Sequence, residues 1–213
     1  MYCHLRTHSY FSFLEGLSSP KALALAAANA GMPALGLTDH LGLTGALNFY
    51  TACRDAGVKP ILGLEVDISL PFHLTGSPSH SRTGRIALLA MDRAGWRSLC
   101  HLSSHVLTSQ LRLLELEDLD RDSSGLICLT GGLTGVTEQF LDCPNDDEDA
   151  QELLGRIGEI FPDRLYIELT CQSAEANGRI SRLARLASKL RLPLVAAHPV
   201  YFLQPEQAAL QQT

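Results

Sequence analysis

Ala34-Leu-Gly-Leu-Thr-Asp-His-Leu-Gly-Leu-Thr-Gly45 decides the fold: a short apolar run over residues 33–37 stops at Thr38, Asp39 and His40. Two glycines follow, and a helical pattern then covers residues 46–56. In an α/β chain this is a buried parallel strand whose carboxyl end presents an acid and an imidazole before the covering helix begins. Such strand ends are where α/β folds place their chemistry.

The same pattern recurs outward from this stretch. Residues 1–6 read as a first strand, and Ser18 or Ser19 caps a helix that has Pro20 in its first turn and Gly31 past its end. Further strands are expected over residues 58–68, 85–91, 125–130, 164–169 and 192–197, with helices over 94–107, up to about 160, 174–190 and from Pro205 onward. Residues 111–119 read as a helical turn or two, and the polar stretch 71–84 reads as an exposed loop. Seven strands alternating with helices over short connections predict one parallel sheet closed or nearly closed into a barrel. An open doubly wound sheet is the alternative. No glycine-rich dinucleotide or P-loop fingerprint follows any strand.

The 213 residues are 46% hydrophobic, enough for a sizeable core, and they suit a single domain over residues 1–213. A net charge of −6 argues against a surface that grips nucleic-acid phosphates directly. Six cysteines are scattered without a CxxC pair, which suits buried thiols in a cytoplasmic protein. No apolar run is long enough to span a bilayer.

Set side by side, the strand ends offer His4, Arg6 and His8, then Asp39 and His40, then Glu65, and finally His198. Imidazoles and carboxylates converging on one rim suit zinc, manganese or iron. Other candidates have plainer readings. His101 and His105 have metal-compatible spacing but no partnering acid, and His73 and His80 read as solvated loop residues. The acidic run 142–149 reads as a helix start, because acids favour a helix amino end. Ser9 and Ser12 beside His8 show no base-and-orienter arrangement specific enough for a nucleophile.

Four segments carry a resemblance: His4-Leu-Arg-Thr-His8-Ser, Ser12-Phe-Leu-Glu-Gly16, Gly36-Leu-Thr-Asp-His40 and Gly57-Val-Lys-Pro-Ile-Leu-Gly-Leu-Glu65. Leu88-Leu-Ala-Met-Asp-Arg-Ala-Gly-Trp-Arg-Ser-Leu99, Gly125-Leu-Ile-Cys-Leu-Thr-Gly-Gly132 and Leu192-Pro-Leu-Val-Ala-Ala197 extend it over nearly the whole chain. Together they resemble the PHP (polymerase and histidinol phosphatase) domain, above all the form at the amino terminus of bacterial DNA polymerase III alpha subunits. The resemblance implies a distorted seven-stranded (β/α) TIM-like barrel with a trinuclear metal cleft on its carboxyl rim, which in some members hydrolyses phosphoesters or proofreads DNA. His8, Glu15, His40 and Glu65 match metal-capable family positions, whereas Arg6, Arg85, Gly132, Pro199 and Tyr201 stand where the family has other ligands.

Those departures argue against a full trinuclear centre. Either no cofactor is expected, or one residual zinc or manganese on His8, Glu15, His40 and Glu65. Arg6 and Arg85 keep their protons and are expected to substitute for metal charge by pairing with Glu65 or Glu15, or to clamp phosphate. The resemblance implies an amino-terminal piece of a replicative or translesion DNA-directed DNA polymerase, with a structural role. Its partners would be downstream polymerase domains of the same chain and a proofreading subunit, with DNA reached only through the parent polymerase. The rival is a stand-alone metal-dependent phosphoesterase acting on a small phosphate ester or nucleotide.

Overall fold

A computed structural model of the chain describes residues 2–70, 83–137, 147–171 and 177–211. Six strands form one curled sheet in chain order: β1 Ala34–Leu37, β2 Lys59–Ser69, β3 Thr83–Ala90, β4 Leu126–Leu129, β5 Leu165–Leu169 and β6 Leu194–Ala196. The helices among the described residues are α1 Pro20–Asn29, α2 Ala46–Asp55, α3 Arg93–Thr108, α4 Leu116–Arg121, α5 Asp147–Ile160, α6 Asn177–Leu190 and the short α7 Ala208–Gln211. None of them is long and apolar enough to cross a membrane. His73, His80, Cys143 and most of the acidic run 142–149 lie outside the described residues.

Local chemistry explains the element starts. Ser19 accepts a hydrogen bond from Ala22 N at 3.1 Å, and Pro20 opens α1. Asp92 accepts one from Gly95 N at 2.9 Å and starts α3. Along β2 the side chains alternate. Leu64, Val66 and Ile68 join Ile86, Leu88 and the α3 residues Leu99, Leu102 and Val106 in the largest apolar cluster. Leu35 and Leu37 of β1 pack with Leu23, Phe49 and Cys53 of α1 and α2. Each fully buried Leu or Ile contributes about 1.5–3 kcal/mol, so these helix-facing rows hold the sheet's shape. On the opposite face Ala87, Leu89 and Leu129 form a smaller cluster with Leu5, Ile61, Ile127, Tyr166 and Val195.

Two expectations are corrected. The described sheet has six strands, because residues 2–6 form no ladder. The segment is instead tied to both neighbours by a few hydrogen bonds: His4 O and Thr7 O accept from Gly36 N at 2.7 Å and Thr38 N at 2.9 Å on the β1 side, and beyond β6 His8 N donates to Val200 O at 2.8 Å while Arg6 O accepts from Val200 N at 3.1 Å. Secondly, the sheet is mixed. β1–β2, β4–β5 and β5–β6 are parallel, whereas β3 runs antiparallel to both β2 and β4. Alternating patterns look alike in either direction. Here the β2–β3 register from Gly63↔Leu89 to Ser69↔Thr83 returns the chain as a hairpin. The reversal has a consequence for the rim: it places Arg85, near the start of β3, directly opposite Asp67 near the end of β2.

Candidate functional site

The rim is assembled around the loop that follows His8. Asp39, buried at the end of β1, accepts hydrogen bonds from Ser9 N and Ser9 Oγ at 2.7 Å each and from Ser12 Oγ at 2.8 Å. Ser12 Oγ in turn accepts from His40 N at 3.0 Å and contacts His8 Nδ1 at 3.1 Å. Asp39 is therefore the anchor that folds residues 9–16 over the rim and carries Glu15 into place. Because Ser12 gives its one hydrogen to Asp39, the His8 contact puts a proton on Nδ1.

Two arginines organise the charges. Arg6 is 1% exposed, and its Nε and Nη2 each lie 2.5 Å from Glu65 Oε1. Its Nη1 donates to Glu168 Oε1 at 2.8 Å and to the Gly131 carbonyl at 2.9 Å. Arg85 reaches the other side of the same carboxylate. Its Nη1 is 3.4 Å from Glu65 Oε2 and 3.1 Å from Glu15 Oε1, and its Nε is 3.1 Å from Asp67 Oδ1. His40 closes the ring, with Nδ1 3.3 Å from Glu15 and Nε2 2.9 Å from Asp67.

Proton affinities follow this geometry. Burial works against the charged His40 ring, but the Asp67 and Glu15 carboxylates outweigh it and lift its pKa to about 9. Burial also opposes ionisation of Glu65, yet His8 and Arg6 beside it drive its pKa far below the usual carboxylate range. Burial likewise disfavours the Asp67 and Glu15 carboxylates, but His40 and Arg85 win and lower both. Glu168 goes the other way: burial raises it despite Arg6. Burial, then the nearby Glu65 charge, pushes Tyr201 up to about 12, and its ring stacks on His8 at 4.6 Å.

His8, Glu15 and Glu65 each bring a ligand-type atom within 4.8 Å of the others, the one such group among the described residues. His40 stands beside it. The remaining rim candidates lie elsewhere. His4 meets Tyr2 edge-on at 4.9 Å, and burial followed by the neighbouring His198 lowers its pKa. His198 itself is exposed. His101 and His105 diverge to Asp122 at 2.8 Å and Asp118 at 3.4 Å. Ser12, His8 and Glu65 lie in a row, with His8 Nε2 3.2 Å from Glu65, but that nitrogen makes no hydrogen bond and Ser12 is fully buried with its hydrogen committed to Asp39. Asp67, Glu168 and the Gly131 carbonyl escape the sequence reading. The signal for the two acids was present, since each is a charge within an apolar strand, Asp67 two residues from Glu65 and Glu168 inside Leu165–Leu169.

A mixed α/β sheet whose strand-end rim gathers imidazoles, carboxylates and arginines defines the class of protein. Within that class the chain belongs to the PHP family, whose domain model matches residues 4–172. It is 31% identical to the DNA polymerase III subunit alpha of Pseudomonas aeruginosa over 218 residues, covering 100% of this chain and 18% of that one. With the Caulobacter vibrioides subunit it shares 33% identity over 215 residues, again 96% of this chain and 18% of that one. The chain thus spans under a fifth of the length of these curated relatives. Among solved structures, an amidohydrolase from Chromobacterium violaceum with bound sulfate and no metal superposes with a TM-score of 0.62 at 14% identity, covering 94% of this chain and 88% of that one. A two-domain protein from Bacteroides vulgatus containing a predicted PHP-like metal-dependent phosphoesterase gives 0.59 at 17% identity, covering 96% and 52%. At this level of identity these likenesses show the shared fold alone.

Proposed function

We propose that this chain is the amino-terminal PHP domain of a DNA polymerase III alpha-type polymerase, in which arginine–carboxylate pairs replace metal ions and the domain serves as a scaffold. The observation that carries this reading is Arg85 Nη1, placed 3.1 Å from Glu15 and 3.4 Å from Glu65, inside the group that would otherwise hold a cation. With Arg6 on the far side of Glu65, two of the three clustered donors are already engaged by guanidinium groups. A metal ion does not fit while those fixed charges stay, because a cation there would face two permanent positive groups. Residues 4–8 then act as the seventh stave of a distorted barrel, bridging β1 and Val200. Its partners are later polymerase domains in the same chain and a proofreading subunit, with DNA held by the parent polymerase in the cytoplasm.

The clustered His8, Glu15 and Glu65 favour one alternative, a metal-dependent phosphoesterase with an arginine clamping the phosphate. Metal content of the purified chain, together with hydrolysis of a chromogenic phosphoester in added manganese, separates the two. The scaffold reading expects no bound metal in stoichiometric amount and no turnover sensitive to His40→Ala. Manganese-dependent turnover abolished by that substitution overturns it. The coding sequence beyond Thr213 tests the polymerase assignment: an open frame encoding polymerase domains is expected, and an immediate stop codon overturns it.

A further inference from the structure

The surroundings of Arg6 are built to a shape. Glu65 Oε1 accepts from Nε at 2.5 Å and lies 2.5 Å from Nη2, which makes no hydrogen bond, while Glu168 Oε1 and the Gly131 carbonyl accept from Nη1 at 2.8 and 2.9 Å. Arg6, Glu65 and Glu168 are each at most 1% exposed. The acceptors thus address different nitrogens of one planar group, whereas a divalent ion needs its donors gathered around one centre. Gly131 and Gly132 hold left-handed backbones, with φ of +85° and +58°, in the turn that presents the carbonyl. A Cβ on residue 132 would stand 2.7 Å from Glu168 Oε1, 2.7 Å from Thr170 Oγ1 and 3.0 Å from Arg6 Nη1. A side chain at 132 would therefore crowd Glu168 and Thr170 first and the end of the Arg6 guanidinium next.

We propose that Glu65, Glu168, the Gly131 carbonyl and the bare Gly132 form a receptor for a guanidinium group, filled here by the chain's own Arg6 and selective for that planar cation over metal ions. This goes beyond the scaffold reading, because it concerns what the pocket selects and holds whether or not the chain is part of a polymerase. Glu168 and Gly132 are the positioning residues of this receptor.

Arg6→Ala empties the pocket, and methylguanidinium at millimolar concentration is the probe. Melting temperature and calorimetric binding are read against methylammonium and Mn²⁺. Methylguanidinium is expected to raise the melting temperature of Arg6→Ala and to bind at least about tenfold tighter than methylammonium, since charge-assisted hydrogen bonds set the difference. The wild-type chain should show no such rise, and Arg6→Ala combined with Glu168→Gln should lose it. Equal response to both organic cations, a larger rise with Mn²⁺, or no response from folded Arg6→Ala overturns the proposal. If Arg6→Ala does not fold alone, Gly132→Ala is compared in wild type and in Arg6→Lys. A clearly larger loss of melting temperature in wild type supports the receptor, and equal losses overturn it. Every readout is on the isolated chain, so failure here is separable from failure of the polymerase assignment.

Discussion

At the scale of single residues, the rim's stability rests on pairs that cannot be halved. Arg6 faces Glu65 and Glu168 without access to water, so Arg6→Met leaves Glu168 facing no cation and Glu65 with Arg85 alone, 3.4 Å away. Removing one partner of a buried pair costs about 3–5 kcal/mol, and urea denaturation should show a loss of that size. Arg85→Met should cost clearly less, because Arg85 is 13% exposed and Glu15 and Asp67 are 23% and 27% exposed, which lets water take over. A loss for Arg85→Met equal to that for Arg6→Met would contradict the burial account. His40 sets a second prediction. Its pKa is raised from 6.5 to about 9 on folding, so its pairs with Glu15 and Asp67 contribute stability that is fully present below the unfolded value. That contribution fades as pH rises through about 9. Stability measured from neutral to alkaline pH should fall across that window in wild type, and the fall should be shallower in His40→Gln. Parallel curves would remove His40 as the cause.

Among the elements, the amino-terminal segment is held by contacts rather than by a ladder. The hypothetical Cβ of Gly36 would approach Leu5 O at 2.3 Å, so Gly36→Ala must push residues 4–8 off β1. Overpacking of this kind costs about 1–3 kcal/mol, and amide exchange should quicken at Gly36, Thr38 and His8 well before the α3 core opens. Protection unchanged at those amides would show that the segment does not dock as described. This segment also marks where the sequence stops being legible. The alternation of apolar runs with capped helices is written plainly in Ser19-Pro20 and in the run before Asp39, and those elements lie where the pattern puts them. Strand direction is not written there, because a two-residue period reads the same forwards and backwards, and β3 could be oriented only by its pairing with β2. Nor does residue type reveal partners. Glu15 and Glu65 stood out at loop and strand ends, whereas Glu168 sits inside a strand, and its importance comes from Arg6, far away in the chain.

Across the whole molecule, the charge arrangement decides how the domain answers to metal. The chain carries a net −6, yet each carboxylate gathered around the rim arginines already has a cationic partner. Arg6, Arg85 and His40, whose pKa is lifted to about 9, pair with Glu15, Glu65, Asp67 and Glu168. A divalent ion arriving there finds no unbalanced negative field and must first displace a guanidinium from a carboxylate. Surface acids elsewhere attract it only weakly, since salt screens them within about 10 Å at ordinary ionic strength. Neither EDTA nor manganese should therefore move the melting temperature of the wild-type chain. The size of the alternative makes the measurement decisive: an ion present at a hundred times its dissociation constant stabilises by about 2.7 kcal/mol, which in a chain of this length amounts to about 5–10 °C. A shift of that size with manganese, lost in Glu65→Gln, would show that the arginines yield to metal and that the rim is a cation site after all.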